Sequence, residues 1–292
     1  MPFTELTDRG VLTVAGADRE SFLQGLVSND VAAAMQGQPV WAALLSPQGK
    51  YKHDFFILAD GDRLLLDCEG GDRLMDLGRT LRKFILRSDV TLGIEKDVSA
   101  LVVWGEDAAG LADGNGVIDF AGGKCFADPR LPSMGVRILA PAEPARAALS
   151  DAGLIEGPVE AWHAWRIAMG VPDGSRDLDV EKSILLEAGF DELHGIDWKK
   201  GCYMGQELTA RTKYRGLVKR RLVPVRVDGD GVAAGADITL EGRVVGTLKS
   251  VALPEKMALA TLRLDAIKQD TGPLKSGDAV LVPDVPGWLS LA

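Results

Sequence analysis

The stretch Asp197-Trp198-Lys199-Lys200-Gly201-Cys202-Tyr203-Met204-Gly205-Gln206-Glu207-Leu208-Thr209-Ala210-Arg211 gathers more reactive and recognition chemistry than any other part of the chain. Gly201 and Gly205 bracket Cys202, Tyr203 and Met204, so the backbone there can adopt positive φ or approach another group closely. Lys199 and Lys200 precede the cysteine and Arg211 follows it; nearby cations favour a thiolate, which makes Cys202 the candidate reactive group. Gln206 and Glu207 set an amide beside a carboxylate, a pair suited to reading a flat heterocycle with both donors and acceptors, such as a pterin or purine edge. Tyr203 and Trp198 offer stacking faces. Each feature has an ordinary counterpart: a cysteine packed as a small hydrophobe, a Gly-x-x-x-Gly turn, acidic and amide residues in the first turn of a helix. Spacing alone defines an anion or heterocycle site around a cysteine.

The charge balance sharpens that reading. The chain of 292 residues has a formal net charge of −9, which argues against broad, nonspecific nucleic-acid binding. Between Lys199 and Arg221, however, eight basic residues face one acid, Glu207. A local basic stretch in an acidic protein suggests an anionic small molecule, the alternative being a solvated face. Three widely spaced cysteines without a CxxC pair exclude a disulfide framework and a cysteine zinc site, and three scattered histidines add no metal set. His163 reads as a packed or surface residue and His194 lies in the loop before the motif. No run approaches the roughly 20 apolar residues of a membrane span. With no secretory leader at the start, the expected location is cytoplasmic.

These residues need elements to hold them. Val11, Leu12 and Val14 predict a strand, followed by a helix through Phe22, Leu23, Leu26 and Val27 with Asp18 as its N-cap. WAALL, YKHDFFIL and RLLLDC, separated by turn residues, predict a three-stranded meander. Leu74, Leu77, Leu81, Phe84 and Ile85 recur at helical spacing, with Arg79, Arg82, Lys83 and Arg87 on the other faces. SALVVWG reads as a strand, and residues 105–130 fit no single pattern. An Ala-rich helix lies between Pro141 and Gly157, and EAWHAWRIAMGVP forms a helix closed by Gly170 and Pro172. After Arg220, short apolar runs separated by Asp-Gly and Glu-Gly turns predict a small all-β barrel or sandwich.

KGCYMGQELTARTKYRG resembles the signature of the YgfZ-like folate-binding proteins, relatives of the glycine-cleavage T-protein, an aminomethyltransferase. Further segments resemble landmarks of that superfamily: Ser21 to Val31 (SFLQGLVSNDV), Ala43 to Lys50 (ALLSPQGK), Arg166 to Pro172 and Leu186 to Phe190. The resemblance implies an α+β fold, a three-domain ring of the T-protein type. Its split α/β folate-binding domain would span residues 1–48 and 155–220, its ferredoxin-like α+β inserted domain 49–154, and its C-terminal β-barrel 221–292. It also implies binding of tetrahydrofolate or a one-carbon derivative, and support for the assembly or repair of iron–sulfur enzymes, tRNA-modifying ones included. The partners expected are therefore folate and iron–sulfur client proteins or assembly factors, with no direct nucleic-acid contact, no membrane and no bound metal. Carried over residue by residue, Cys202 is the reactive group. Lys200, Gln206, Glu207 and Arg211, with Tyr203 and Trp198, bind the cofactor, Lys200 and Arg211 taking its carboxylate tail.

Two departures bear on aminomethyl transfer. Where T-proteins have an Asp-Asp pair, this chain has His53-Asp54, leaving Asp54 as the one candidate acid. Adjacent strand residues face opposite ways, so the two should not act on the same atom. Asp177 is the nearest equivalent of the acid that reads the pterin, displaced by one residue in DGSRDL. Three readings follow: a folate-dependent accessory factor for iron–sulfur proteins, a folate-dependent aminomethyl- or one-carbon transferase, and a noncatalytic folate-binding scaffold.

Overall fold

The computed structural model describes every residue except 106, 113–115, 269–271 and 292. Strands β1 (Pro2–Glu5) and β2 (Arg9–Ala15) precede two short helices, α1 (Arg19–Gln24) and α2 (Val31–Met35). Asp18 sits at the start of α1, but its carboxylate accepts from the Asp89 backbone N–H at 2.8 Å instead of capping the helix. The side-chain cap belongs to Asp30, which accepts from Ala32 N at 3.1 Å at the head of α2. The expected meander is present as β3 (Val40–Leu45), β4 (Tyr51–Asp60) and β5 (Arg63–Glu69). Helix α3 (Gly71–Ile85) and strand β6 (Thr91–Glu95) follow, and the first sheet has the order β3-β4-β5-β2-β6. Leu74, Leu77 and Leu81 of α3 pack with Leu12, Val14 and Phe55 in its core.

A second, six-stranded sheet uses β7 (Ser99–Val103), β8 (Val117–Phe120), β9 (Gly123–Ala127), β10 (Val136–Ala140) and β11 (Ile155–Glu156), with α4 (Ala142–Asp151) before its last strand. Its order is β11-β1-β7-β10-β9-β8. The unassigned stretch 105–130 thus contains the β8–β9 hairpin and a 3-10 turn, Ala108–Ala112. Between the two sheets' residues runs a buried ionic cluster: Asp67 accepts from Arg9 Nε at 2.7 Å and from Arg137 Nη2 at 2.6 Å. Burial works to raise the Asp67 carboxyl, but Arg137 and Arg9 outweigh it and hold the group below the usual carboxylate range.

Helices α5 (Val159–Ala168), α6 (Gly174–Asp177) and α7 (Gln206–Tyr214) lead to the C-terminal β structure. Its strands are β12 (Arg220–Asp228), β13 (Asp237–Leu240), β14 (Arg243–Ala252), β15 (Met257–Arg263), β16 (Leu274–Ser276) and β17 (Ala279–Pro283), with α8 (Leu264–Lys268) before β16. They close as β12-β15-β14-β13-β16-β17, so the expectation of a barrel or sandwich resolves as a closed barrel. Alternation drives it: Gly246, Leu248, Ser250 and Ala252 of β14 are buried while the residues between them are less so. Irregularities after Ile238 and Leu248 break the pairing register where the strands must bend.

The chain folds as two compact units. The first comprises Met1–Gln48, Lys52–Val159 and Leu193–Gln206; the second comprises Gly49–Tyr51, Glu160–Glu192 and the residues from Glu207 onward. Among the described residues no helix is long and apolar enough to cross a membrane.

Candidate functional site

In the first unit, the loop that holds Cys202 is stitched to the segment joining α1 and α2. Ser28 Oγ donates to Gly195 O at 2.6 Å, Asn29 Nδ2 donates to His194 O at 2.7 Å, and Asp197 N donates to Ser28 O at 3.0 Å. The Asp197 carboxylate accepts from the backbone N–H groups of Lys199 and Lys200, at 2.5 and 2.9 Å, and so turns the chain toward the cysteine. Lys200 then points inward: its ammonium donates to Gln24 O at 2.8 Å and to Val27 O at 2.6 Å. On the far side of the thiol, Met204 N donates to Gly25 O at 3.2 Å, and the Met204 side chain packs against the core of the first sheet. The two segments singled out by resemblance, SFLQGLVSNDV and KGCYMGQE, are therefore one structural assembly.

Between the anchors at Lys200 and Met204 the thiol is exposed. Gly201 and Gly205 have φ of 98° and 82°, the positive values expected of them, and they carry the loop out and back around Cys202. The other two cysteines, Cys68 and Cys125, are buried, and burial pushes both thiols up to about 12. Cys202 is thus the one thiol that a reagent or an iron ion can reach from solvent.

The remaining candidates divide by what they already hold. Burial lowers Lys200 to about 8 against the pull of Asp30 and Asp197, and its nitrogen lies 5.3 Å from the centre of the Tyr203 ring. Its two carbonyl bonds make it an anchor of the loop, and Tyr203, itself buried, presents that ring face to the ammonium. Trp198 is half-buried and Gln206, opening α7, donates its backbone N–H to Tyr203 O at 3.2 Å. In the second unit, Glu207 and Arg211 pair at 3.1 Å one helical turn apart, with 88% and 49% of their side chains exposed. Both are available to a ligand.

Asp54 and His53 do face opposite ways. Asp54 accepts from Trp41 Nε1 at 3.0 Å, whereas His53 Nε2 meets Asp76 Oδ2 at 3.0 Å. Burial first and Arg73 second lower His53 to about 4, more than Asp76 can restore, so the ring is neutral at physiological pH. Asp177 is saturated: it accepts from Arg166 Nη1 at 2.6 Å, Asp173 N at 2.9 Å and Ser250 Oγ at 2.6 Å. Arg166 also donates to Ser250 Oγ at 2.8 Å and to His163 Nδ1 at 3.0 Å. His163 and Asp177 are accordingly structural partners of a buried arginine. Sequence reading missed this network, for which a charged residue amid the apolar positions of α5 was the available signal.

The donor set bears on a folate. A pterin edge needs paired donors and acceptors, and a carboxylate tail needs a cation; half-buried Gln206 and exposed Glu207 and Arg211 match those needs in kind. Lys200 and Asp177 do not, because backbone carbonyls and Arg166 already occupy them.

Comparison with known proteins places the fold first. The glycine cleavage system aminomethyltransferase T from Bartonella henselae superposes with a TM-score of 0.77, over 98% of this chain and 85% of that one, at 17% identity. Residues 219–291 match the C-terminal beta-barrel domain of CAF17. The class is therefore the aminomethyltransferase T fold: mixed α+β, with two sheets and a closed six-stranded barrel. In sequence, the mitochondrial iron-sulfur cluster assembly factor IBA57 of Homo sapiens is 31% identical over 310 residues, covering 97% of this chain and 84% of the human protein. The IBA57 homologs of Mycosarcoma maydis and Neurospora crassa are 38% and 28% identical, over 74% and 86% of this chain. The chain belongs to the IBA57 family.

It spans 62% and 55% of the length of those N. crassa and M. maydis relatives. All of these relatives are named as mitochondrial, which overturns the cytoplasmic expectation. That expectation rested on the lack of a secretory leader and of membrane spans. Neither bears on organelle address.

Proposed function

We propose that this protein is an iron–sulfur cluster assembly factor in which Cys202 meets the cluster and a tetrahydrofolate binds nearby in function. The observation that supports this reading is the presentation of Cys202: an exposed thiol held between two backbone anchors, in a chain whose other cysteines are buried. A thiolate is the natural ligand of iron in such clusters, and one thiolate supplies too few ligands to store a cluster. The cluster is cargo, and a partner protein completes its ligand set. Relatives named as iron–sulfur cluster assembly factors favour the same role. Clients would include radical tRNA-modifying enzymes.

Gln206 and Glu207 would read the heterocycle of the folate and Arg211 would take its carboxylate tail, with Trp198 as a stacking face. When bound, the folate supplies a reduced pterin and a carrier for a one-carbon unit. Lys200 serves by fixing the loop. Aminomethyl transfer is the second reading, favoured by the buried Asp54 and by the fold.

The test pairs variants. Cys202→Ser should keep its melting temperature and its calorimetric titration with tetrahydrofolate, yet fail to restore a radical iron–sulfur enzyme in cells lacking the factor. Arg211→Ala should weaken the titration. Full restoration by Cys202→Ser would leave a scaffold role, and loss of function confined to Asp54→Asn would establish the transferase. No heat with tetrahydrofolate at millimolar ligand would remove the folate from all three readings.

A further inference from the structure

The first sheet buries one face under helices, but not across its whole width. Residues of α1, α2 and α3 share a single core with alternate residues of β2, β3, β4 and β5. Helix α2 lies against β3, and α3 lies against β2 and β5. A helix about 10 Å across covers roughly two strands spaced about 4.8 Å apart, so the edge strand β6 falls outside that cover. There α3 and β6 bound a groove of about 330 Å³, which none of the chemistry above employs. Its floor is apolar, formed by Leu12 of β2, Leu74 of α3, and Leu92 and Ile94 of β6. Ile94, cross-strand partner of Leu12, is 40% exposed, and Met75 on the α3 wall is 49% exposed. Met75, Gly78, Arg79 and Arg82 form one stripe along α3 at helical spacing. Gly78 adds no side chain to that stripe and leaves Leu12 open, its Cδ1 3.4 Å from where a Cβ would stand. Lys96 stands at the Met75 end, because α3 runs from Leu74 beside Gly10 to Gly78 beside Leu12 while β6 runs against β2. Arg79 has Asp76 at 3.8 Å, but among the described residues Arg82 and Lys96 have no carboxylate partner.

We infer that this groove receives an amphipathic helix of a partner protein, laid antiparallel to α3 over the open face of β6, with an apolar and an acidic stripe side by side. The chemistry of the groove lies on one face of the sheet. Leu92, Ile94 and Lys96 alternate along the β6 segment onto the side that α3 covers, and Arg79 and Arg82 stand above them on α3. An extended ligand would send neighbouring side chains to opposite faces, whereas a helix sets apolar residues at i, i+3/i+4 and i+7 beside acidic ones on its flank. Its apolar stripe covers Leu92, Ile94 and Met75, and its acids meet Arg79 and Arg82 across the pair of helices. Its C-terminal carbonyls, which carry partial negative charge, meet Lys96. From Met75 to Arg82 the wall runs about 10 Å, two helical turns, enough for such a stripe. Groove-bound helices are held by anchors at this spacing. Charge chooses the occupant: the protein as a whole is at −9, whereas the groove is bounded by three cations and by no acid. A second copy would bring the same cations against these, which disfavours self-association here. Cys202 takes no part in this contact.

The test uses the full chain and a fluorescein-labelled linear peptide with leucine at i, i+3/i+4 and i+7 and glutamate along one flank, followed by anisotropy. The controls are the same residues in an order that scatters the leucines around the helix, and the peptide with lysine in place of glutamate. The acidic amphipathic peptide should bind saturably and gain helix in the far-ultraviolet difference spectrum. Arg82→Glu/Lys96→Glu should weaken it by about tenfold or more, and Ile94→Thr by about fivefold. All three residues are exposed, so both variants keep their melting temperature. Cys202→Ser should bind the peptide as the unaltered chain does, which separates this contact from the cluster chemistry. No binding at millimolar peptide, equal binding of either control, no helix gained, or no effect of the charge reversal overturns the inference. Binding to anionic phospholipid vesicles without binding of the peptide overturns it in favour of a lipid surface.

Discussion

His53 and Asp54 are neighbours in β4, yet one meets Asp76 on α3 and the other Trp41 on β3. The alternation of a strand sets that division, and the sequence alone predicts it. What each side chain then does depends on burial. His53 moves from an ordinary 6.5 to about 4, so between those pH values the unfolded chain binds a proton that the folded one does not. Its contribution to stability is fully present above pH 6.5 and is lost as pH falls through 4, by on the order of 3 kcal/mol. His53→Gln should flatten the fall in urea-unfolding free energy between pH 7 and pH 4; an unchanged slope would show that the ring is not buried neutral. The place of Cys202 in a glycine-bracketed loop is legible from its neighbours in the motif. That of Lys200 is not: a lysine beside a cysteine reads as an electrostatic partner, and only the folded chain shows its nitrogen on two carbonyls 173 and 176 residues away.

At the scale of elements, the loop 193–205 owes its shape to the turn between α1 and α2. Lys200→Ala would leave the Gln24 and Val27 carbonyls without their donor, at about 2 kcal/mol. Amides from Asp197 to Met204 should then exchange faster. Arg211→Ala removes an exposed pair on α7 and should stay within about 0.5 kcal/mol. Equal costs in the two denaturation curves would contradict the assignment of Lys200 as anchor and Arg211 as ligand group. The elements with a strong period were readable: the meander, α3, α5 and the alternating strands of the barrel. The β8–β9 hairpin was not, since its strands are short, half-buried and rich in glycine and aspartate nearby. Nor was the pairing of β1 between β11 and β7, because a strand of four residues has too little alternation to announce its partners.

At the scale of the whole molecule, the second unit shows where a recognisable domain and a physical one part ways. The barrel matches a known domain over residues 219–291, but Ser250 on its β14 bonds to Arg166 of α5 and to Asp177 of α6. Arg166→Met would leave the Asp177 carboxylate buried without its cation, a loss of about 3–5 kcal/mol. Exchange protection should fall together in α5, α6 and β14 of the full chain. Loss confined to α5 would mean that the barrel is stable without residues 160–192.

The burial of Cys68 and Cys125 also gives the folded chain a single thiol with which to react or cross-link. A disulfide between native copies can run only from Cys202 to Cys202, and such a link ends the chain of connections instead of extending it. Oxidation therefore stops at a covalent pair, and any polymer of higher order reports unfolding.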